Sequence, residues 1–429
     1  MIYNLTKYNA SWDTRKLRSL GEFARGKSKH RPRNDSVLYY GGGYPFIQTG
    51  DIKSANLYIS THEQEYNEVG LAQSKLWDTG TLAITIAANI AETGILSYPM
   101  CFPDSVVGFS AHSGVTSEVY MHYIFAYIRA SIQKSVGGSI QDNINIDYLE
   151  NLDFKIPYES AQKRLSNVLL ILDRKIAINN AINAELEKAA KLLYDYWFVQ
   201  FDFPDENGKP YRASGGAMEY NEQLKRKIPK GWITNRLDCL GDFLNGVNYS
   251  KNENGDTETK IVNVRDISAS SIFINTAKCD TLYLDSKVVK KYSASECDLL
   301  IARSGIPGSV RLIYNTIHKV IFCGFSIRFC LQQKTYRNYV FFVLKDNEIS
   351  TTKKSTGSIL KNVSQDTLKN FMIALPTSDI IERYNHAVEP FLNYIVRNIK
   401  ENEYLTELRD FLLPLLMNGQ VTVSQSESH

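Results

Sequence analysis

An internal repeat with an offset of about 220 residues is the feature that most constrains how this 429-residue chain folds. WDTRKLRSLGEFARG at 12–26 aligns with WITNRLDCLGDFLNG at 232–246, with Trp, Leu, Gly and Phe recurring in register. Further along, GSIQDNINIDYLENLDFKIP at 138–157 aligns with GSILKNVSQDTLKNFMIALP at 357–376. Because the register holds through so many positions, the sequence predicts two copies of one structural unit.

The stretches between these anchors differ between the two copies. The tripeptide GFS recurs at 108–110 and 324–326, whereas PFIQTGDIKS at 45–54 and KIVNVRDIS at 260–268 share little beyond an Asp-Ile pair. Short β-branched or aromatic runs alternate here with Gly, Asn and Asp turns, a pattern typical of short strands in a mixed α/β domain. A repeated scaffold with divergent interiors predicts one architecture that carries two specificities.

Two long heptad patterns follow the strands at an offset of 219 residues. The first covers roughly 160–198, and eight of its ten a and d residues are apolar. Its exceptions are Asn179 and Asn183, and Asn398 and Asn402 stand at the equivalent positions of the second pattern. The a positions are Leu169, Ile176, Asn183, Ala190 and Trp197 in the first, and Val388, Ile395, Asn402, Arg409 and Leu416 in the second. The d positions are Leu165, Leu172, Asn179, Leu186 and Leu193 in the first, and Tyr384, Phe391, Asn398, Leu405 and Leu412 in the second.

A polar layer in a coiled-coil seam costs stability but fixes the register, because a slip leaves buried amides unpaired. We therefore predict two antiparallel helices whose Asn layers meet near their midpoints. Two unrelated amphipathic helices with solvent-facing Asn are the alternative. A helix of some 36 residues would extend on the order of 54 Å at about 1.5 Å per residue, and would hold two domains apart.

Basic side chains concentrate in the parts of the chain that read as globular. Residues 13–35 carry eight Lys/Arg against three acids, and residues 232–376 carry 19 against 13. Residues 377–429 carry 4 against 8. Basic stretches attract polyanions such as nucleic acid, although a solvated surface explains many of them.

Several classes of function lack their sequence signatures. There is no GxGxxG, P-loop or GxSxG motif, and the acidic residues are not spaced like a nuclease metal site. The cysteines form no CxxC, the histidines form no ligand cluster, and no run of 18 apolar residues exists. We therefore expect reduced thiols in a cytoplasmic protein, no metal site and no membrane span. The sequence argues against an enzyme that acts alone.

Four conserved-looking segments resemble a known family. LEKAAKLLYDYWFVQFDFPDENGKPYRASGG, followed by IPKGW, resembles the central conserved region of the specificity (S) subunits of type I restriction–modification systems. LRDFLLPLLMNGQV resembles their distal conserved region, and DLLIARSGIPGSV and GSILKNV resemble motifs of their target recognition domains. The first copy departs from that pattern, since Thr85, Ile86 and Asn89 stand in place of Arg303, Ser304 and Gly305.

The resemblance implies an α/β (α+β) chain with two mixed target recognition domains, separated by two long helices that form an antiparallel coiled coil. The repeat would relate the halves by a pseudo-two-fold axis. We expect six segments: target recognition domain 1 at 1–157, conserved helix 1 at 158–198, a central linker at 199–231, target recognition domain 2 at 232–376, conserved helix 2 at 377–418 and a tail at 419–429.

The resemblance also implies partners. Each recognition domain would read one half of a split double-stranded DNA target, and two methyltransferase (M) subunits and the restriction/motor (R) subunits would assemble with the chain. S-adenosylmethionine, ATP and Mg would lie on those partners, so that this chain carries no cofactor and no catalytic residue. A recognition subunit of a related split-site methyltransferase system and a coiled-coil scaffold without DNA binding are the alternatives.

Candidate DNA-binding residues are polar or basic side chains in predicted loops, since phosphate contacts position a protein and base-edge contacts specify sequence. An ordinary solvated side chain is the alternative for each. In the first copy they are Arg25, Lys27, Lys29, Arg31, Arg33, Gln48 and Thr49. In the second copy they are Asn248, Lys251, Asn263, Arg265, Arg303 and Ser304.

An aromatic run ends the first long helix in mid-chain. Tyr196, Phe198 and Phe201 lie off the heptad seam and need another cover. Docking of a methyltransferase subunit would provide it, and packing within the chain is the alternative.

Overall fold

The computed structural model describes residues 2–136, 144, 146–250, 255–314, 317–354 and 363–423. The chain forms two compact units, of which unit 1 comprises Met1–Ile178 with Tyr404–His429 and unit 2 comprises Asn179–Glu403. Each long helix contributes residues to both units. The units therefore divide the chain differently from the six predicted segments.

Unit 1 is built on a five-stranded sheet. Its strands are β1 Asp13–Lys16, β2 Gly21–Arg25, β3 Tyr44–Phe46, β4 Tyr58–Ile59, β5 Gln64–Tyr66, β6 Leu76–Trp77, β7 Leu82–Thr85, β8 Thr93–Leu96, β9 Met100–Cys101, β10 Val106–Ala111 and β11 Asp153–Ile156. The large sheet has the order β2-β10-β7-β8-β4, a smaller one has the order β5-β3-β9-β6, and β1 pairs with β11. All residues of β7 and β8 are buried, as expected of continuous apolar runs at the centre of a sheet.

The helices of unit 1 cover this sheet and extend from it. They are α1 Thr49–Ser54, α2 Glu68–Ala72, α3 Glu118–Val136, α4 Ile146–Glu150 and the first part of α5 Glu159–Tyr194. The buried aromatic side chains Phe109, Phe125 and Phe154 lie in the core between the sheet, α3 and β11.

Unit 2 repeats this plan. Its strands are β12 Met218–Asn221, β13 Arg226–Pro229, β14 Ile233–Arg236, β15 Gly241–Asn245, β16 Thr257–Val262, β17 Asp280–Leu284, β18 Asp298–Ala302, β19 Val310–Leu312, β20 Val320–Phe322, β21 Ser326–Leu331 and β22 Met372–Leu375. The sheet β15-β21-β18-β19 matches β2-β10-β7-β8, the sheet β17-β16-β20 matches β5-β3-β9, and β14-β22 matches β1-β11. The helices are α6 Val264–Ser268, α7 Ser286–Tyr292, α8 Arg337–Lys354, α9 Gln365–Lys369 and α10 Ser378–Met417. The predicted mixed fold with two long helices is confirmed.

Strand pairing corrects one part of the sequence alignment. Phe23 pairs with Phe109 in unit 1, and Phe243 pairs with Phe329 in unit 2, so β10 and β21 correspond at an offset of 220. The GFS tripeptide at 108–110 lies inside β10, whereas Gly324 and Phe325 precede β21. Its recurrence is therefore a coincidence of sequence and does not mark equivalent positions.

The Asn layers of the two long helices pair in the antiparallel sense. Within unit 2, Asn179 Nδ2 donates to Asn402 Oδ1 at 2.9 Å, and Asn398 Nδ2 donates to Asn183 Oδ1 at 2.8 Å. None of the twenty assigned a and d side chains is exposed. The residue numbers on one helix rise as those of their partners on the other helix fall, so the contacts fix an antiparallel register.

The aromatic run that ends α5 is core. A π-helical turn at Asp195–Val199 follows α5 and turns Trp197 and Phe198 inward. The Phe198 ring lies 4.6 Å from the ring of Tyr339 and 4.7 Å from that of Tyr384, both edge to face. The Phe203 ring stacks on Tyr211 at 4.7 Å. These aromatic side chains form a large part of the hydrophobic core of unit 2.

In the described part of the chain, every helix is too short or too polar to cross a membrane.

Candidate nucleic-acid interface

A matched pair of polar side chains lies at the start of a short helix in each unit. In unit 1, Gln48 precedes α1, and its Nε2 donates to Oε1 of Gln64, the first residue of β5, at 2.7 Å. In unit 2, Asn263 precedes α6, and its Nδ2 lies 3.4 Å from Oδ2 of Asp280, the first residue of β17. The same place in the fold thus presents two amides in one unit and an amide with a carboxylate in the other.

An aspartate three residues later explains why this place is conserved between the copies. Asp51 Oδ2 accepts the backbone N–H of Gln48 at 2.7 Å, and Asp266 Oδ2 accepts that of Asn263 at 2.8 Å. These bonds belong to a capping box at each helix start. The Asp-Ile pair shared by the two copies consists of this cap and a buried isoleucine. The aspartate thus helps to fix the helix start, and the side chain before it is exposed in unit 1 and half-buried in unit 2.

Asp280 gathers further groups in unit 2. Arg265 Nη2 contacts Asp280 Oδ1 at 2.5 Å, and this hydrogen bond raises the pKa of Arg265 above its ordinary value. The Tyr249 hydroxyl donates to Asn263 Oδ1 at 3.0 Å, which joins the loop after β15 to the same cluster. Two segments of unit 2 that carry predicted residues, the loop after β15 and the start of α6, therefore meet at Asp280.

The basic loop of unit 1 follows β2. Lys27, Lys29, Arg31 and Arg33 are all exposed, as predicted for an exposed loop. The backbone of the loop is held from behind, because Gln73 Oε1 accepts the backbone N–H of Lys29 at 2.6 Å. The side chains thus project from a fixed backbone.

Acidic partners moderate the charge of this loop. Arg33 Nη2 contacts Asp104 Oδ1 at 2.6 Å, and Arg31 Nη2 lies 3.9 Å from the other carboxylate oxygen. The backbone N–H of Val37 and the imidazole of His30 hold the pKa of Asp35 below its ordinary value. Both carboxylates therefore offset part of the local basic charge.

Arg303 lies against a turn in unit 2 that corresponds to the Asp104 turn in unit 1. Its backbone N–H donates to the Phe325 carbonyl at 2.9 Å, and its Nη1 donates to the Gly324 carbonyl at 3.1 Å. Asn248 lies on the other side, since a Cβ added to Gly324 would be 2.0 Å from Asn248 Oδ1. The structure thus brings together Arg303 and Asn248, which are far apart in sequence.

Backbone hydrogen bonds identify the counterpart of Arg303 in unit 1. The backbone N–H of Ile86 donates to the Ser105 carbonyl, as that of Arg303 does to the Phe325 carbonyl. The Ile86 carbonyl accepts from the backbone N–H of Ile144, and the Arg303 carbonyl accepts from that of Val363 in the same way. Ile86 is buried, so unit 1 presents no basic side chain here. The first copy does lack the Arg-Ser-Gly sequence, as predicted. The predicted alignment of individual residues needs correction, because Ile86, Ala87 and Ala88 are the counterparts of Arg303, Ser304 and Gly305.

The remaining candidates occupy separate places. Arg25 is exposed at the end of β2, Thr49 is the half-buried first residue of α1, and Ser304 is half-buried beside Arg303. Lys251 lies outside the described residues. The DNA-binding role of every candidate stays a prediction.

Three side chains of this surface were missed in the sequence. Gln64 and Asp280 meet the candidates only through pairing of distant strands, and Asp104 lies 71 residues from its partner Arg33.

Two of the three predicted docking residues need correction. Phe198 and Phe201 are 3% and 4% exposed, because the core of unit 2 covers them, so packing within the chain accounts for both. Tyr196 is 37% exposed and stays available to a partner. In the described ranges, no group of three or more His, Cys, Asp or Glu side chains is arranged to hold a metal ion.

Comparison with known proteins finds a family model and relatives that are similar to the chain. Residues 9–188 match the type I restriction modification DNA specificity domain. The type I restriction enzyme MjaIX specificity subunit of Methanocaldococcus jannaschii is 26% identical over 435 residues, covering 98% of this chain and 96% of the relative. The type I restriction enzyme HindI specificity subunit of Haemophilus influenzae is 24% identical over 344 residues, covering 65% of this chain and 71% of the relative.

A solved structure shares the fold. The crystal structure of the type I restriction–modification S subunit from M. genitalium aligns with a TM-score of 0.54 and 14% sequence identity, covering 97% of this chain and 99% of that one. The resemblance seen in the four segments is thereby confirmed: residues 9–188 match the specificity domain of type I restriction–modification systems, and a specificity subunit is similar to the chain along nearly its whole length.

Proposed function

We propose that this chain recognises a bipartite double-stranded DNA target for a type I restriction–modification complex, with each unit reading one half. The observation that carries the proposal is the pair of matched polar surfaces on duplicated scaffolds. At the cap position, unit 1 has Gln48 with Gln64, and unit 2 has Asn263 with Asp280. Different hydrogen-bonding groups at one place in a shared fold are what two different half-sites require.

Charge supports a nucleic-acid partner. The exposed basic loop of unit 1 would contact phosphates, which position the protein without reading sequence. Arg303, held at the turn of unit 2, would reach a base edge, where guanine offers two acceptors to one guanidinium. Methylation and cleavage would take place on partner subunits that carry S-adenosylmethionine, ATP and Mg.

Exposed apolar side chains on the long helices provide a surface for a methyltransferase subunit. In unit 1, Tyr404, Leu408 and Phe411 recur at spacings of four and three on α10, so they share one helix face. The exposed residues Ile171 and Ile178 likewise share one face of α5, because they lie seven residues apart. Soluble surfaces rarely leave such rows uncovered, so we assign partner docking here instead of to Phe198 and Phe201.

Co-expression with the methyltransferase subunit, followed by mapping of methylated adenines in host DNA, tests DNA recognition. A split motif is expected, and Arg303→Ala should relax one half of it while leaving the other unchanged. Lys188→Ala, an exposed change on α5, is the control and should leave the motif intact. Methylation without any motif, or no affinity for DNA at low salt, would favour a scaffold without DNA binding.

Co-purification tests the docking surface separately. The double variant Tyr404→Ser with Phe411→Ser should lose the methyltransferase subunit, because both rings are exposed and their removal should not unfold unit 1. Tyr158→Ser, an equally exposed tyrosine outside the long helices, should retain it. Equal recovery with both variants would refute this surface.

A further inference from the structure

An exposed aromatic side chain stands at the centre of the Arg303 turn. Phe325 is 63% exposed, although both residues before the turn, Phe322 and Cys323, are buried. A phenyl ring exposed on a turn lacks the stabilisation that burial in the core would give it. The backbone carbonyl of Phe325 accepts from the backbone N–H of Arg303, the residue that unit 2 is proposed to use for base reading.

The turn that carries Phe325 is held on three sides. The Ser326 N–H donates to the Cys323 carbonyl at 2.9 Å, and the Gly324 N–H donates to the Val247 carbonyl at 2.7 Å. Arg303 holds the third side through its backbone N–H and its guanidinium. The backbone that carries the ring is therefore held before any ligand arrives, which lowers the part of the entropy cost of a contact that comes from ordering the turn.

The equivalent turn in unit 1 has the same backbone and different chemistry. The Val106 N–H donates to the Pro103 carbonyl at 3.0 Å, as in the turn of unit 2. Its two central residues are Asp104, which is paired with Arg33, and Ser105. The turn is therefore a conserved platform on which the two units place different side chains.

We propose that Phe325 reads the 5-methyl group of a thymine in the half-site bound by unit 2. This inference rests on the proposed DNA recognition. Asn248 and Arg303 flank the turn with polar and positive groups, and the sequence around it, residues 232–376, carries 19 basic against 13 acidic residues, which suits a polyanion. In the major groove, the thymine methyl is the apolar feature that distinguishes one base, and a phenyl ring is a suitable contact for it.

Replacing thymine by uracil tests the contact, because uracil lacks the methyl and keeps the same hydrogen-bonding edge. The assembled chain and methyltransferase subunit are titrated at fixed salt with duplexes in which each thymine of both half-sites is replaced in turn. Wild type should lose about three- to fivefold in affinity at one thymine of one half-site, the factor expected for one buried methyl group.

Phe325→Ser, which introduces the side chain of the unit 1 turn, should bind the thymine duplex as weakly as wild type binds the uracil duplex. It should no longer distinguish the two, while any thymine preference in the other half-site persists. Phe325→Leu should retain part of the discrimination. Thermal melting should show that both variants are folded.

Three results would overturn the assignment: an unchanged thymine preference in Phe325→Ser, a wild type indifferent to uracil throughout that half-site, or a half-site without an A·T pair. A failure of the underlying function is recognisable as well, because wild type would then show no preference for the mapped target over an unrelated duplex.

Discussion

The junction between the long helices and the helix packed on them is polar in unit 1 and apolar in unit 2. In unit 1, Asp173 Oδ1 accepts from Arg409 Nη1 at 2.9 Å, and its Oδ2 accepts from the Tyr123 hydroxyl at 2.7 Å. The Asp173 side chain is 4% exposed, so these partners compensate a buried charge. At the positions 219 residues away, unit 2 has the buried apolar side chains Phe342, Leu392 and Ala190.

The difference between the two junctions shows what the side chains at these three positions must provide. The backbone does not depend on the ion pair, since the equivalent site folds without one. What both versions share is filled volume with no unpaired buried polar group. A charge can therefore be kept here only together with its partners.

The largest effect on stability is expected in unit 2, whose junction is apolar. Phe198→Ala should lower the free energy of unfolding by about 3–5 kcal/mol, since it removes a fully packed ring. Denaturant unfolding measures this loss, and hydrogen exchange should assign it to unit 2. Tyr196→Ala, two residues away and exposed, should cost far less. Equal losses from the two variants would contradict the core assignment.

Unit 1, whose junction is polar, should lose stability when a partner of the buried Asp173 carboxylate is removed. Arg409→Ala should cost about 3 kcal/mol, because it leaves the Asp173 carboxylate buried and without its counter-ion. Adding Tyr123→Phe and Asp173→Leu gives unit 1 the chemistry of unit 2 and should restore most of the stability. If the triple variant unfolds as easily as the single one, the two junctions are not interchangeable.

Arg303 distinguishes the two surfaces that we propose bind DNA. Arg303→Ala should weaken specific DNA binding by about 1–3 kcal/mol, the scale of one base-reading contact. Unit 1 has the buried Ile86 at this place, so its half-site should be unaffected. A titration at controlled salt measures the change, with Lys188→Ala as the control. Unchanged specific affinity would refute a base contact by Arg303.

A buried histidine in unit 1 corresponds to a buried phenylalanine in unit 2. Burial, with Arg129 and Arg409 nearby, lowers the pKa of His122 to about 3. The unfolded chain takes up a proton below about pH 6.5 that the folded unit does not, so stability falls as the pH drops through that value. His122→Phe, which introduces the Phe341 counterpart, should remove about 1.4 kcal/mol of this loss at pH 5.5 relative to pH 8. Identical pH profiles for the two proteins would contradict the assignment.

The smallest effect concerns the basic loop. Lys27→Gln with Lys29→Gln should reduce the slope of log affinity against log salt by about 0.9 for each phosphate that the variant no longer neutralises. The equivalent residues in unit 2 are Val247 and Tyr249, so the weakening should be confined to the first half-site. Binding measured across a salt series gives the slope. The wild-type slope would show that neither lysine binds a phosphate.

The repeat and the register of the two long helices were predictable because each follows from the spacing of matching residues along the sequence. The offset survives in Trp, Gly and Leu positions, and the Asn exceptions interrupt an otherwise apolar seam at matched places. The aromatic run was ambiguous, because periodicity shows that Phe198 lies off the seam and does not show what covers it. The cap partners Gln64 and Asp280 were out of reach, since strand pairing brings them to Gln48 and Asn263.

The aspartate cap has a consequence for evolvability. Asp51 and Asp266 hold the helix start through the backbone of the preceding residue, so the aspartate's bond does not depend on which side chain precedes it. Gln, Asn or another polar side chain can then stand there as long as it suits its strand partner, Gln64 or Asp280. Under the proposed DNA recognition, such an exchange would alter one half-site while the helix start is kept.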